Sequence, residues 1–255
     1  MAFLKEFNIF IKVILYWICS FVGASFFFFL FGLEKVVIFG KNLFLPLPSE
    51  NSFSVQIFSR IRSDLLPDGV QLVVTNPLDA LVAQVLLSIL LGFFLTIPLF
   101  LYRLVLYLEP ALLPREKKVV LWSLFPFVFL FVSGSMFSYY FLIPATFKIL
   151  YPYATIIGAV PYFSVNEFIQ YIFGLMIGVG IMFLLPLFMI LLSYLRIISA
   201  EFWINKWRFA LIFFLILCAI ITPDGTAISM VILFVPLVGL YFIGCFFARK
   251  CSIIT

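Results

Sequence analysis

The chain has 255 residues, of which 65% are hydrophobic and only 11% charged, with a formal net charge of +5 and a mean hydropathy of +1.27. That leaves too little polar surface for a water-soluble globule and places the chain among polytopic membrane proteins. The surplus of bases would suit nucleic acid only as a stripe interleaved with aromatics, and here the bases are scattered among the ends of apolar runs. Nucleic-acid binding is set aside. There is no histidine, which excludes bis-histidine haem ligation and removes the commonest metal ligand. Cys19, Cys218, Cys245 and Cys251 show no CxxC spacing, and three of them lie inside apolar runs, where a cysteine is a small buried residue. No cofactor and no metal are expected.

In chain order, the start MAFLKEFNIFIK is not expected to be a cleavable signal, because Glu6 and Lys12 interrupt its apolar run and no small-residue cleavage site follows. A first span is expected over about residues 13–33, long enough to cross a ~30 Å hydrocarbon core at ~1.5 Å per residue. Residues 34–77 form the one long polar region, with Pro46, Pro48 and Pro67. They read as an ordered loop with short helices and an extended piece near Gln71 to Thr75.

Asn76, Pro77 and Asp79 give a helix start: a capping side chain, a proline at the first helical position and a first-turn acid. The second span then covers about residues 80–102, with Pro98 as a kink. The stretch PLFLYRLVLYLEPALLPREKK, from Pro98 to Lys118, closes this run and opens the next. Its four consecutive charges, Arg115, Glu116, Lys117 and Lys118, belong in water at a short loop. A third span over about 119–143 carries Gly134, Ser135 and Ser138, small enough for close helix contact. Ser164 and Glu167 have capping-box spacing and start a fourth span over about 167–195, which contains Gly174, Gly178, Gly180 and Pro186. The fifth, about 209–222, stops at Pro223 and Asp224 and is too short for a full crossing. A sixth covers about 227–248.

Six spans put both termini on one side of the membrane. That side collects eleven of the sixteen bases, and the other holds Lys148 and four in the long loop. Since Lys and Arg accumulate where synthesis occurs, both termini face the synthesis side and residues 34–77 lie opposite. The fold class expected is all-α, a single polytopic membrane domain of six transmembrane helices.

Several separated motifs in this frame resemble those of the TatC family, the membrane receptor subunits of the twin-arginine translocase, and in particular its mitochondrially encoded members. The opening FLKEF is similar to H-L-x-E-L-R, with Glu6 at the acid position. YLEPALLPREKK is similar to F-x-x-P-x-L-x-x-x-E-[KR]-[KR], matching Tyr107, Pro110, Leu112 and Glu116. SGSMFSYYFLIP, ending in Pro144, resembles the family's third helix, and Thr222-Pro223-Asp224 its T-P-[PD] motif. There are departures. GIMFLLP stands for G-I-x-F-E-L-P, so Leu184 occupies the position of an embedded glutamate; Asn8 replaces an arginine and Phe242 an acid.

The resemblance implies a protein with no active site. It implies binding of twin-arginine signal peptides of folded precursors through Glu116, Glu6, Tyr107 and Pro110, with Asp224 a polar group towards the outer face. It also implies small single-span TatA- and TatB-like partners, homo-oligomers in the lipid bilayer, and export driven by the protonmotive force. The 36 Phe residues, whose codons are T-rich, point to organelle-encoded synthesis. The mitochondrial inner membrane is the location this suggests, with the plastid thylakoid or a bacterial inner membrane as alternatives.

Apart from the family, each of these residues has a plainer role. Glu116 is a first-turn acid gaining ~0.3–1 kcal/mol from the helix dipole, Glu6 a solvated residue near an interface, and Asp224 the cap of the last helix. Tyr107, Tyr102 and Trp122 suit an aromatic belt. An ion-translocating subunit would need ionisable groups inside its spans, and almost none are there. A membrane scaffold or insertase-like protein without signal-peptide recognition is the alternative function. The charge split is testable directly: a cysteine at Val55 should react with a membrane-impermeant reagent only from the side opposite synthesis, and labelling from the near side would overturn the orientation.

Overall fold

The computed structural model describes the backbone of residues 2–38, 41–48, 51–66, 71–108, 114–156, 158, 162–222 and 227–254, and side chains over 8–34, 46–48, 51–66, 72–107, 118–150, 156, 158, 162–222 and 227–250. Its helices are α1 (Ala2–Leu30), α2 (Phe53–Leu65), α3 (Asp79–Leu108), α4 (Pro114–Trp122), α5 (Leu124–Phe137), α6 (Ile143–Ile156), α7 (Val165–Phe183), α8 (Leu185–Tyr194), α9 (Ala200–Asn205), α10 (Trp207–Ile221) and α11 (Ala227–Ile254). A π-helical turn, Ser138–Leu142, joins α5 to α6. Four short strands complete the described elements: β1 (Phe31–Ile38), β2 (Lys41–Pro48), β3 (Gln71–Val73) and β4 (Tyr162–Ser164).

Among the described residues, five stretches are long and apolar enough to cross a membrane: Asn8–Leu30, Asp79–Tyr107, Lys118–Leu150, Val165–Tyr194 and Ala227–Lys250. The sixth apolar helix, α10, has 15 residues. The polytopic all-α architecture follows from the solvent: hydrocarbon offers backbone amides no partner, so each crossing must satisfy them internally.

The polar region after α1 holds more strand than its composition suggests. β1 and β2 pair antiparallel from Phe31↔Pro48 to Ile38↔Lys41. A two-stranded ribbon consists only of edges, and this is why it tolerates Pro46 and Pro48, which cannot donate to a ladder. The extended piece near Gln71 is β3, and it pairs in parallel with β4, Gln71↔Tyr162 to Val73↔Ser164. That pairing brings Ser164 to the start of α3. Asp79, only 6% exposed, accepts hydrogen bonds through Oδ2 from Thr75 Oγ1 at 2.6 Å, Asn76 N at 2.8 Å and Thr75 N at 3.1 Å. Ser164 Oγ donates to the same oxygen at 3.4 Å. Ser164 thus stands at the cap position of α7 while its hydroxyl reaches across the sheet, and Asp79 rather than the Asn76 side chain organises the entry to α3.

The chain divides into two compact units. The first comprises Met1–Ala111 and Ala154–Phe173. Its centre is the pairing of α1 with α3, where the backbones approach so closely that a Cβ on Gly92 would lie 2.9 Å from Ser25 N; no larger residue fits there. Aromatic contacts line the same seam: Trp17 meets Phe100 at 4.7 Å between centroids and stacks on Phe21 at 5.6 Å, and Phe21 meets Phe93 edge-on at 6.3 Å.

The second unit comprises Leu112–Tyr153 and Gly174–Thr255. Here the small residues read from sequence do meet: Ser135 Oγ donates to Met176 O at 2.9 Å, and a Cβ on Gly180 would strike Phe131 at 2.7 Å. Gly174 faces open space instead. A buried cluster of Met189, Phe214, Tyr241 and Cys245 ties α8, α10 and α11 together.

At ~1.5 Å per residue, the 15 residues of α10 reach ~22 Å against a ~30 Å core. The mismatch should be met by local thinning of the bilayer. Spin labels at Phe209 and Thr222 should therefore report depths ~20 Å apart, and a separation of ~30 Å would refute the short crossing.

Candidate functional site

Of Glu6, Tyr107, Pro110, Glu116 and Asp224, Tyr107 is the one whose side chain the structure describes. It stands at the end of α3, half-buried, and its ring lies 5.2 Å from that of Phe10 on α1, tilted by 45°. One turn before it, the Arg103 guanidinium sits 5.5 Å from the ring centroid of Tyr16. The contact makes Tyr107 a clamp between two helices, a more specific position than membership of an aromatic belt. Tyr102, by contrast, is 51% exposed and Trp122 is 74% exposed, as side chains facing lipid or an interface are.

Glu6 belongs to α1, four residues before Phe10, so the two positions share a stripe one turn apart. Its side chain lies outside the described residues. Glu116 is the third residue of α4, after Pro114 at the first position and Arg115. Proline is preorganised for a first helical position, and the third is where an acid serves the exposed N–H groups of a helix start. The side chain of Glu116, with those of Arg115 and Lys117, is outside the described residues, as are Pro110 and Asp224 altogether. Asp224 falls within the five residues between α10 and α11.

Leu184 sits at the break between α7 and α8 and is 4% exposed. Pro186, close behind, has no N–H to donate to Met182 O one turn earlier, which interrupts the helix here, and Leu184 O accepts from Leu187 N at 3.0 Å and Phe188 N at 3.1 Å as α8 begins. The side chain at this position is packed inside the second unit, with no carboxylate to offer a neighbouring helix.

Sequence reading passed over Trp203. It lies on the six-residue helix α9, in the segment with Arg196, Glu201, Lys206 and Arg208 that separates the fourth and fifth expected spans. Trp203 Nε1 donates to Ser193 Oγ at 3.2 Å, and its carbonyl accepts from Tyr241 Oη at 2.6 Å. A tryptophan in a charged loop before an apolar run is the signal that could have marked it. Among the described residues, no cluster of acids and cysteines could hold a metal ion.

A family model described as Sec-independent protein translocase protein (TatC) matches residues 4–236. The chain is 33% identical over 221 residues to the Sec-independent protein translocase protein TatC of Cenarchaeum symbiosum (strain A), a match covering 86% of this chain and 84% of that one. It is 28% identical to the protein of the same name from Aquifex aeolicus (strain VF5), over 77% and 82% of the two chains. An uncharacterized tatC-like protein, ycf43 of Gracilaria tenuistipitata var. liui, is also 28% identical, over 69% and 74%. In fold, the crystal structure of the twin arginine translocase receptor TatC superposes with a TM-score of 0.75 at 23% identity, covering 97% of this chain and 99% of that one. The helical order, the family match across 4–236 and the 33% identical relative agree: this chain belongs to the TatC family, and is a twin-arginine translocase subunit, not an enzyme.

Proposed function

We propose that the chain is the receptor subunit of its translocase: it binds twin-arginine signal peptides of folded precursors and, with single-span TatA- and TatB-like partners, exports them using the protonmotive force. The observation that carries this reading is the position of Glu116, third in α4, within the family-matched segment and at the start of a helix that leads into a crossing. A guanidinium pair at a membrane surface calls for carboxylates where water is partly excluded, because its fork matches a carboxylate bidentately and exposed pairs gain little. Glu116 is the principal carboxylate and Glu6 the second. Tyr107 and Pro110 shape the surface for the residues beside the arginines, and Asp224 is the polar group at the other end of the short crossing. We place the protein in the mitochondrial inner membrane, a reading supported by its phenylalanine content.

Leu184 favours one modification of the family pattern. With this position apolar and buried, a single-span partner docks by packing, giving up the ~0.6–2 kcal/mol of an intramembrane hydrogen bond. If partner docking has been lost altogether, a scaffold role without signal-peptide recognition gains ground.

Photocrosslinking of a twin-arginine precursor to the membrane-embedded protein separates the two. Glu116→Gln keeps side-chain size and helix propensity, so binding should fall at least about tenfold, as loss of a charge-assisted bond worth ~1.5–3 kcal/mol requires. A purely helix-stabilising Glu116 would cost only ~0.3–1 kcal/mol of stability and leave recognition intact. Changing Lys117 and Lys118 together to Gln should leave crosslinking equal or stronger. Equal crosslinking in wild type, Glu116→Gln and Glu6→Gln at normal protein levels would move the scaffold role ahead.

A further inference from the structure

A groove of about 530 Å³ opens on the second unit between α8, α9, α10 and α11, within the ~300–1,000 Å³ usual for small-molecule sites. Its walls include Leu185, Phe188, Met189, Phe213 and Phe214, and its floor is built by Trp203 and Tyr241. The polar atoms of that floor are already engaged inside the protein, Trp203 Nε1 with Ser193 Oγ and Tyr241 Oη with Trp203 O. What faces the groove is therefore almost wholly carbon. Among the described lining residues, Lys206 alone is charged; it is exposed at the start of α10, its Nζ 5.2 Å from the ring centroid of Phe209. Beside it the Arg208 guanidinium lies 5.6 Å from the ring of Trp207.

Two features identify the occupant. Tryptophan and bases at one end of an apolar helix mark headgroup depth, so the mouth of the groove lies at the interface and its body in the hydrocarbon. The groove's lining on α10 spans only residues 209–214, ~8 Å of axis at ~1.5 Å per residue, too short a contact to seat a transmembrane helix but enough for part of an acyl chain. We propose that the groove binds an anionic phospholipid, one acyl chain lying against Met189, Phe213 and Phe214 and the phosphate paired with Lys206. Arg208 adds attraction for the same headgroup. The site is independent of the signal-peptide carboxylates and would persist if those were misassigned.

The test uses the full-length protein with Trp203 as the sole tryptophan, made by Trp17→Phe, Trp122→Phe and Trp207→Tyr. It is reconstituted in phosphatidylcholine vesicles with a small fraction of phosphatidylglycerol. Bromine is placed on the acyl chains of one lipid at a time, at equal mole fraction. Brominated phosphatidylglycerol should quench Trp203 roughly fivefold more effectively than brominated phosphatidylcholine, the preference one cation near the surface confers. Lys206→Gln should bring the ratio down towards one, leaving only the smaller share that Arg208 contributes, and Lys206→Arg should preserve it. Equal quenching by both lipids, or a ratio unchanged in Lys206→Gln, would overturn the proposal by showing ordinary lipid-facing surface. Absence of quenching by either lipid would overturn it too, since a partner helix or a second copy would then fill the groove.

Discussion

The hydrocarbon interior allows no unsatisfied backbone group and almost no charge, and the rest of this structure follows from that constraint. Several hydroxyls placed inside the spans turn back onto their own helix: Ser88 Oγ donates to Gln84 O at 2.8 Å, Thr96 Oγ1 to Gly92 O at 2.8 Å and Thr146 Oγ1 to Leu142 O at 3.0 Å. Ionisable groups are driven to helix ends. A protein built this way can recognise a charged ligand only where its helices begin and end, and it is there that Glu6, Glu116 and Asp224 occur.

With polar contacts so scarce, packing must come from shape. One solution is close approach at small residues, as at Gly92 and Gly180. The other is aromatic geometry, for which the 36 Phe residues supply the material. Phe214 meets Tyr241 edge-on at 5.5 Å, Phe127 meets Phe188 at 6.1 Å, and Phe28 meets Phe53 at 5.8 Å, each near the perpendicular that the ring quadrupole favours. Rings also leave gaps that smaller side chains would close, and the groove under Lys206 is bounded by such rings.

The apolar crossings were legible in sequence because hydropathy over about twenty residues is a strong, local signal. The β1–β2 hairpin was not, since prolines at Pro46 and Pro48 argue against a strand unless both strands are known to be edges. Nor was the pairing of β3 with β4, which joins residues 91 positions apart, such as Val73 and Ser164. Asp79 looked like an ordinary first-turn acid, and its role as hub of that junction depends on the distant strand. Of the candidate site, the place of Glu116 in the first turn of α4 was readable from Pro114 and the charge run. The contact of Tyr107 with Phe10 required the fold, because nothing local in α3 says which helix it faces.

The central claim, that carboxylates at helix ends read a pair of guanidinium groups, is tested most directly by varying the ligand. Binding of the membrane-embedded protein to a twin-arginine signal peptide should be compared with binding to the same peptide carrying two lysines. Net charge is equal in both, so simple surface attraction predicts equal affinity. Bidentate recognition predicts that the arginine peptide binds at least about tenfold tighter, since an ammonium cannot reproduce the fork. Equal dissociation constants for the two peptides would contradict the account.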